Sequence, residues 1–82
     1  MDAKQIIREI MNVTGMSQER LAKAAGMAAQ TNVTGILNRG TSLRVDKLDQ
    51  MVTAMGYKIV VVPAEEHVLD GWYEVTTDHP GV

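Results

Sequence analysis

Apolar residues recur at helical spacing through the first two thirds of the chain. The first stripe predicts a helix over residues 2–12 that begins at an Asp2 N-cap and is closed by Gly15. The last stripe predicts a helix from about Arg44 to Met55. The apolar members of these two stripes are Ile6, Ile7, Ile10, Met11, Leu48, Met51, Val52 and Met55. We therefore expect two helices that each bury one face.

Between these helices, residues 17–38 have the pattern of two shorter helices joined by a tight turn. Ser17 is a favourable N-cap for the first of them, and Gly26 supplies a residue that can leave a helix with positive φ. The apolar face of the second is made by Val33, Ile36 and Leu37. A helix, a glycine turn and a helix with a polar front end are typical of a helix-turn-helix unit that reads DNA.

The period of the pattern changes after residue 56. Residues 57–62 form a continuous apolar run rich in β-branched side chains and stopped by Pro63, which predicts a strand. Farther along, residues 67–69 and 72–75 flank Asp70 and Gly71, the dipeptide favoured in a type I′ hairpin turn. Two more short strands are therefore expected, followed by a frayed end at 78–82.

The expected fold is mainly α: a four-helix bundle over residues 1–56, followed by a β-strand or hairpin extension over 57–82. Eighty-two residues suffice for one modest core. The formal net charge is −2, but residues 1–56 carry seven basic and five acidic side chains, whereas 57–82 carry one basic and five acidic. A mildly basic helical part is compatible with nucleic-acid binding if its basic residues share one face.

The sequence contains no pattern typical of catalysis. The absence of cysteine excludes disulfides and thiolate metal sites, and the spacing of Glu65, Glu66, His67 and His79 fits no recurring metal site. We therefore expect neither an enzyme nor a cofactor. No apolar run approaches the roughly 20 residues of a membrane span, and the first residues lack the apolar stretch of a signal peptide. A cytoplasmic protein with no membrane partner is predicted.

A polar residue opens the second helix, a small residue follows four positions later and a glycine four beyond that, before two β-branched residues in the third helix. These residues are Gln18, Ala22, Gly26, Val33 and Ile36. In this pattern residues 1–56 resemble the lambda-repressor/Cro-like, or XRE, helix-turn-helix family. The family usually places its first β-branched anchor six residues after the turn glycine, whereas here the spacing is seven. Because the other register would bury Asn32 and Gly35, we infer one extra residue before Val33.

The resemblance implies that the front of the third helix enters the major groove of double-stranded DNA. The candidate base contacts are Ala29, Gln30, Thr31, Asn32 and Thr34. Gln30 and Asn32 are the strongest of these, because Gln and Asn can bind adenine through two hydrogen bonds. The alternative is a polar helix face that is merely solvated. Gly35 in mid-helix either lets the DNA backbone approach closely or lets another helix do so.

The same resemblance implies phosphate contacts at the start of the second helix and in the loop after the third. The candidates are Gln18, Asn38, Arg39, Thr41, Ser42 and Arg44. The alternative for each arginine is a solvated charge or an intramolecular partner of Asp46 or Asp49.

A lone apolar strand offers unpaired backbone groups to another chain. We therefore expect a two-fold homodimer, with interface candidates Ile59, Val60, Val61, Val62, Trp72 and Tyr73. The alternative is a monomer in which residues 57–62 pair with the hairpin of the same chain.

Two functions remain open at this stage. One is a dimeric transcriptional repressor of a palindromic operator. The other is an antitoxin-type interaction protein whose tail, residues 64–82, binds a partner protein while its helix-turn-helix autoregulates its operon. A toxin gene beside this one would favour the second.

Overall fold

Four helices make up the regular secondary structure of the part of the chain that is described. The computed structural model describes residues 1–40 and 42–76. In chain order the helices are α1 (Ala3–Thr14), α2 (Gln18–Ala24), α3 (Gln30–Asn38) and α4 (Val45–Ala54). The prediction of a mainly helical protein with four helices is confirmed.

The predicted N-caps hold the starts of the first two helices. Asp2 and Gln5 form a capping box, in which each side chain accepts the backbone N–H of the other residue at 2.9 Å. The hydroxyl of Ser17 accepts the N–H of Arg20 at 3.2 Å. Helix α1 runs two residues past its predicted end at residue 12, to Thr14.

The turn between α2 and α3 is built around Gly26, which has φ of +73°. The carbonyl of Ala22 accepts the N–H of Met27 at 2.8 Å, as expected of a Schellman turn that closes on a left-handed glycine. From α4, the side-chain amide of Gln50 donates to the carbonyl of Ala25 at 2.5 Å. The turn is therefore fixed by its own backbone and by a side chain from a distant helix.

The core lies between the four helices and contains the predicted apolar stripes. Its buried members are Ile6, Ile7, Ile10, Leu21, Ala22, Val33, Ile36, Leu37, Leu48, Met51, Val52 and Met55. Val33 is 0% exposed, whereas Asn32 lies on the surface. The predicted register of α3, with Val33 rather than Asn32 on the buried face, is confirmed.

The described part of the tail, residues 57–76, contains no strand. Neither the predicted β extension nor the alternative intrachain sheet is present there, and the expected fraying at 78–82 lies outside the described residues. A turn does form at the predicted place, since Trp72 donates its N–H to the carbonyl of Leu69 at 3.0 Å.

The predicted type of this turn is wrong. Gly71 has φ of +86°, but a type I′ turn also needs positive φ at Asp70, and no described non-glycine residue has it. A turn with positive φ only at its second central residue does not match the twist of paired strands. The turn geometry is therefore one physical reason why the two flanking segments do not form a hairpin.

The tail folds back along α1 and α4 without closing over them. Tyr57 and Tyr73 pack against the core with their ring centroids 6.3 Å apart, and Thr76 donates its N–H to the carbonyl of Met1 at 2.8 Å. An open groove of about 720 Å³ remains between the tail and the two helices. Ile6, Ile10, Leu48 and Val52 line its helical side.

Candidate nucleic-acid interface

The front of α3 presents polar side chains to solvent. Ala29 is the N-cap, with an extended backbone and no side-chain hydrogen bond to the helix start. Gln30, Thr31 and Asn32 are exposed, and their side chains form no hydrogen bond with the described part of the chain. Because the opposite face of the helix is buried through Val33, these donors and acceptors are available on a helix of fixed orientation.

Two of the predicted contacts bind each other. The hydroxyl of Thr34, a candidate for base contact, donates to Oε1 of Gln18, a candidate for phosphate contact. Both side chains are half-buried, and the bond joins the first residue of α2 to the middle of α3. Gln18 keeps its amide NH₂ for donation, which is the polarity that a phosphate oxygen requires. Thr34 is less available to a base than the residues before it.

The loop after α3 carries the remaining phosphate candidates. Asn38 and Arg39 end the helix and are exposed, and Ser42 is exposed on the way to α4. Nε of Arg44 lies 3.3 Å from Oδ1 of Asp46, so the alternative of an intramolecular partner holds for Arg44. Thr41, also a candidate, lies outside the described residues.

The Arg44–Asp46 pair is a weak competitor for an incoming phosphate. The two side chains are 82% and 66% exposed, and ion pairs in such positions contribute about 0–1 kcal/mol. Arg44 can therefore exchange its carboxylate partner for a phosphate at little cost.

Two cations from α1 reach the end of α3, a contact that was not predicted from the sequence. Nη2 of Arg8 donates to the carbonyl of Leu37 at 2.8 Å and lies 3.4 Å from Oδ1 of Asn38. Nζ of Lys4 donates to the carbonyl of Arg39. Their spacing of four residues places both on one face of α1. The part of the chain that this face contacts is determined by how the helices pack.

Gly35 does not serve close packing between helices. A Cβ placed on it would meet a single atom within 4 Å, Nη2 of Arg39 at 3.9 Å, apart from the helix's own backbone and the chain neighbours. This is an ordinary contact with the end of a flexible side chain. The packing explanation for a helix-interior glycine at this position is therefore without support.

The candidates for the dimer interface differ in how far they face solvent. Val61 is 97% exposed and Trp72 is 50% exposed, while Ile59, Val60 and Val62 are partly exposed. Tyr73 instead packs on its own core beside Tyr57. Partial burial, then the neighbouring Tyr57 and the Glu9 carboxylate, raise the pKa of Tyr73 above its ordinary value of 10.0.

Over residues 1–40 and 42–76, no group of three or more His, Asp and Glu side chains is arranged to hold a metal ion. No helix in these ranges has the length and apolarity needed to cross a membrane.

Comparison of the chain with protein-family models, curated protein sequences and solved structures gives no match. Membership of the lambda-repressor/Cro-like family therefore stays a prediction that rests on the residues quoted for it.

Proposed function

We propose that the chain is a sequence-specific DNA-binding regulator of transcription in the cytoplasm, in which α2 and α3 act as a lambda-repressor-like helix-turn-helix. The observation that carries this proposal is the exposed polar front of α3, made by Gln30, Thr31 and Asn32, whose side chains have no hydrogen-bond partner among the described residues. Side chains of these types can distinguish base pairs in the major groove, where an α-helix fits. Because these side chains form no hydrogen bond with the described part of the chain, they can bind base edges without first breaking such bonds.

The surroundings of α3 support this proposal. The helix is held to α2 by the turn at Gly26 and by the bond between Gln18 and Thr34, so the front of α3 keeps a defined orientation. At its other end, Arg39 and Arg44 bring positive charge to the loop that would lie along the phosphates. Groups that can read bases thus lie at one end of α3, and cations that can bind phosphates lie at the other. In protein–DNA complexes, base contacts give specificity and phosphate contacts give position.

We further propose that two chains bind together, through strands formed by residues 57–62 in each chain. A two-fold dimer sets its reading helices about 34 Å apart, one turn of DNA, and therefore requires a palindromic site. A dimer bound in this way at a promoter would repress transcription by occupying it.

Selection of bound sequences from random DNA tests this function, followed by mobility shifts with the selected site. We expect a palindromic site with half-sites about one helical turn apart. Two arginines per chain at phosphates make four in a dimer, which predicts a slope of log affinity against log salt of about −4 and a loss of about a hundredfold between 50 and 200 mM. If no sequence is enriched and no selective complex forms at low salt, the proposal is wrong.

The groove beside the tail favours a second candidate, an antitoxin-type protein that neutralises a partner protein. Its helical side is apolar, Trp72 is half exposed on the tail, and the lining residues include three acidic side chains against one lysine. A toxic product of a neighbouring gene that binds this chain and shifts the fluorescence of Trp72 would support it. Binding that survives deletion of residues 64–82 would exclude the tail as the binding element.

A further inference from the structure

We propose that Arg8, assisted by Lys4, is a positioning residue that caps α3 from α1 and orients the phosphate-contacting loop. The inference rests on the proposed DNA binding, because the loop matters as a DNA contact only if that function holds. The structural part of the inference can be tested without DNA.

Among the described residues, no glycine of positive φ caps the C-terminal end of helix α3. The other three described helices are followed by Gly15, Gly26 and Gly56, each with positive φ, which allows the backbone to turn back and bind the last carbonyls. Helix α3 ends instead at Arg39 with φ of −69° and ψ of 148°, an extended conformation, and has no basic residue in its last turn. Its final carbonyls therefore need donors from elsewhere.

Helix α1 supplies these donors. The guanidinium of Arg8 donates to the carbonyl of Leu37 at 2.8 Å, and the ammonium of Lys4 donates to the carbonyl of Arg39. Positive charge at this end of a helix also opposes the partial negative charge of its dipole. The other face of α1 is buried in the core, with Ile7 at 0% exposure, so the helix that carries the two cations is held in place.

The position of this cap gives it a role beyond stability. Asn38 and Arg39 are the first residues of the proposed phosphate contact, and the carbonyls that Arg8 and Lys4 hold belong to the same short segment. Without Arg8, the carbonyl of Leu37 loses its charged donor and the last turn of α3 loosens. The Arg39 side chain would then be displayed from a mobile backbone, which raises the entropic cost of binding.

The test compares Arg8→Met, Arg8→Lys and the control Lys47→Met, which removes one positive charge on α4 that makes no proposed DNA contact. Lys47 donates to Oε1 of Gln50 at 3.3 Å, whereas Gln50 holds the Ala25 carbonyl through its own Nε2, so the control leaves that bond in place. Hydrogen exchange of the Arg39 amide, which donates to the Gly35 carbonyl at 3.1 Å, reports on the last turn of α3. We expect exchange about tenfold faster in Arg8→Met, intermediate in Arg8→Lys and unchanged in Lys47→Met, while the core amide of Ile10 is unaffected.

On the selected DNA site, Arg8→Met should bind about three- to tenfold more weakly than Lys47→Met, with the same base preference and with partial recovery in Arg8→Lys. Unchanged Arg39 exchange in Arg8→Met would overturn the capping role whether or not DNA binds. Faster exchange with undiminished DNA affinity would overturn the positioning role. A wild-type chain that binds no DNA would refute the proposed function and the positioning role with it, and the exchange data would still decide the cap.

Discussion

Replacing Gly35 with alanine should stabilise the fold while weakening DNA binding. An alanine in a helix interior is favoured over glycine by about 0.8–1.0 kcal/mol. The added Cβ would meet only the end of the Arg39 side chain, at 3.9 Å, so no steric penalty offsets this gain. We therefore expect the free energy of unfolding to rise by about 0.5–1 kcal/mol and Tm by about 2–8 °C for a domain of this size.

The expected loss of DNA affinity has a different origin. If Gly35 lets the DNA backbone approach α3 closely, a methyl group there pushes the helix away from the groove. A penalty of about 1.4 kcal/mol corresponds to tenfold weaker binding, and we expect at least this effect on the selected site. Thermal unfolding followed by circular dichroism and mobility shifts on one preparation would measure both changes.

A matched control is Thr53→Ala, at an exposed position of α4 that also gains helix propensity. This variant should leave DNA affinity unchanged. A lower Tm for Gly35→Ala would refute the reasoning from open space around Gly35. A higher Tm with undiminished DNA binding would show that the DNA backbone does not approach there.

Three further predictions follow from the same surfaces. Asn32→Ala should relax base preference at particular positions by about 1–3 kcal/mol, whereas Arg39→Ala should weaken all sequences alike; repeating the DNA selection checks this, and an unchanged preference in Asn32→Ala would mean that Asn32 reads no base. Val60→Asp should split the dimer because it places a charge in the proposed strand pair, and an unchanged mass by light scattering would count against that interface. Since the pKa of Tyr73 is raised on folding, its contribution to stability is complete below pH 10.0 and is lost as pH rises through the folded pKa. Wild type should therefore lose stability above pH 10 more steeply than Tyr73→Phe, as measured by urea unfolding at several pH values, and parallel curves would contradict this.

The helical part could be predicted because its signals are local. Asp2 and Ser17 satisfy N–H groups within three residues, and Gly26 permits a backbone conformation that other residues rarely adopt. The spacing of Val33 then fixed which face of α3 is buried. Each of these signals acts within a few residues, so the pattern along the chain contains the information.

The candidate site could be predicted from the sequence only where the exposure of a side chain determines whether it can bind DNA. The polar front of α3 follows from the burial of its other face, but the bond between Gln18 and Thr34 and the cap supplied by Arg8 join residues 16 and 29 positions apart. Such contacts depend on how helices pack, which the periodicity of one helix does not specify. The spacing of the two cations in α1 shows that they share one face of the helix. It does not show which groups they bind.

The tail contains residues that favour a strand, yet its described part forms none. Residues 57–62 have β-branched side chains suited to a sheet, yet a strand exists only where another backbone pairs with it, and the turn at 69–72 has the wrong geometry to supply one. Tyr57 at the start of this segment packs against the helical core, whereas Val61 remains almost fully exposed. A second chain could remove this apolar surface from water and pair its backbone in one step. We therefore expect strand formation in the tail to depend on association and to increase with protein concentration.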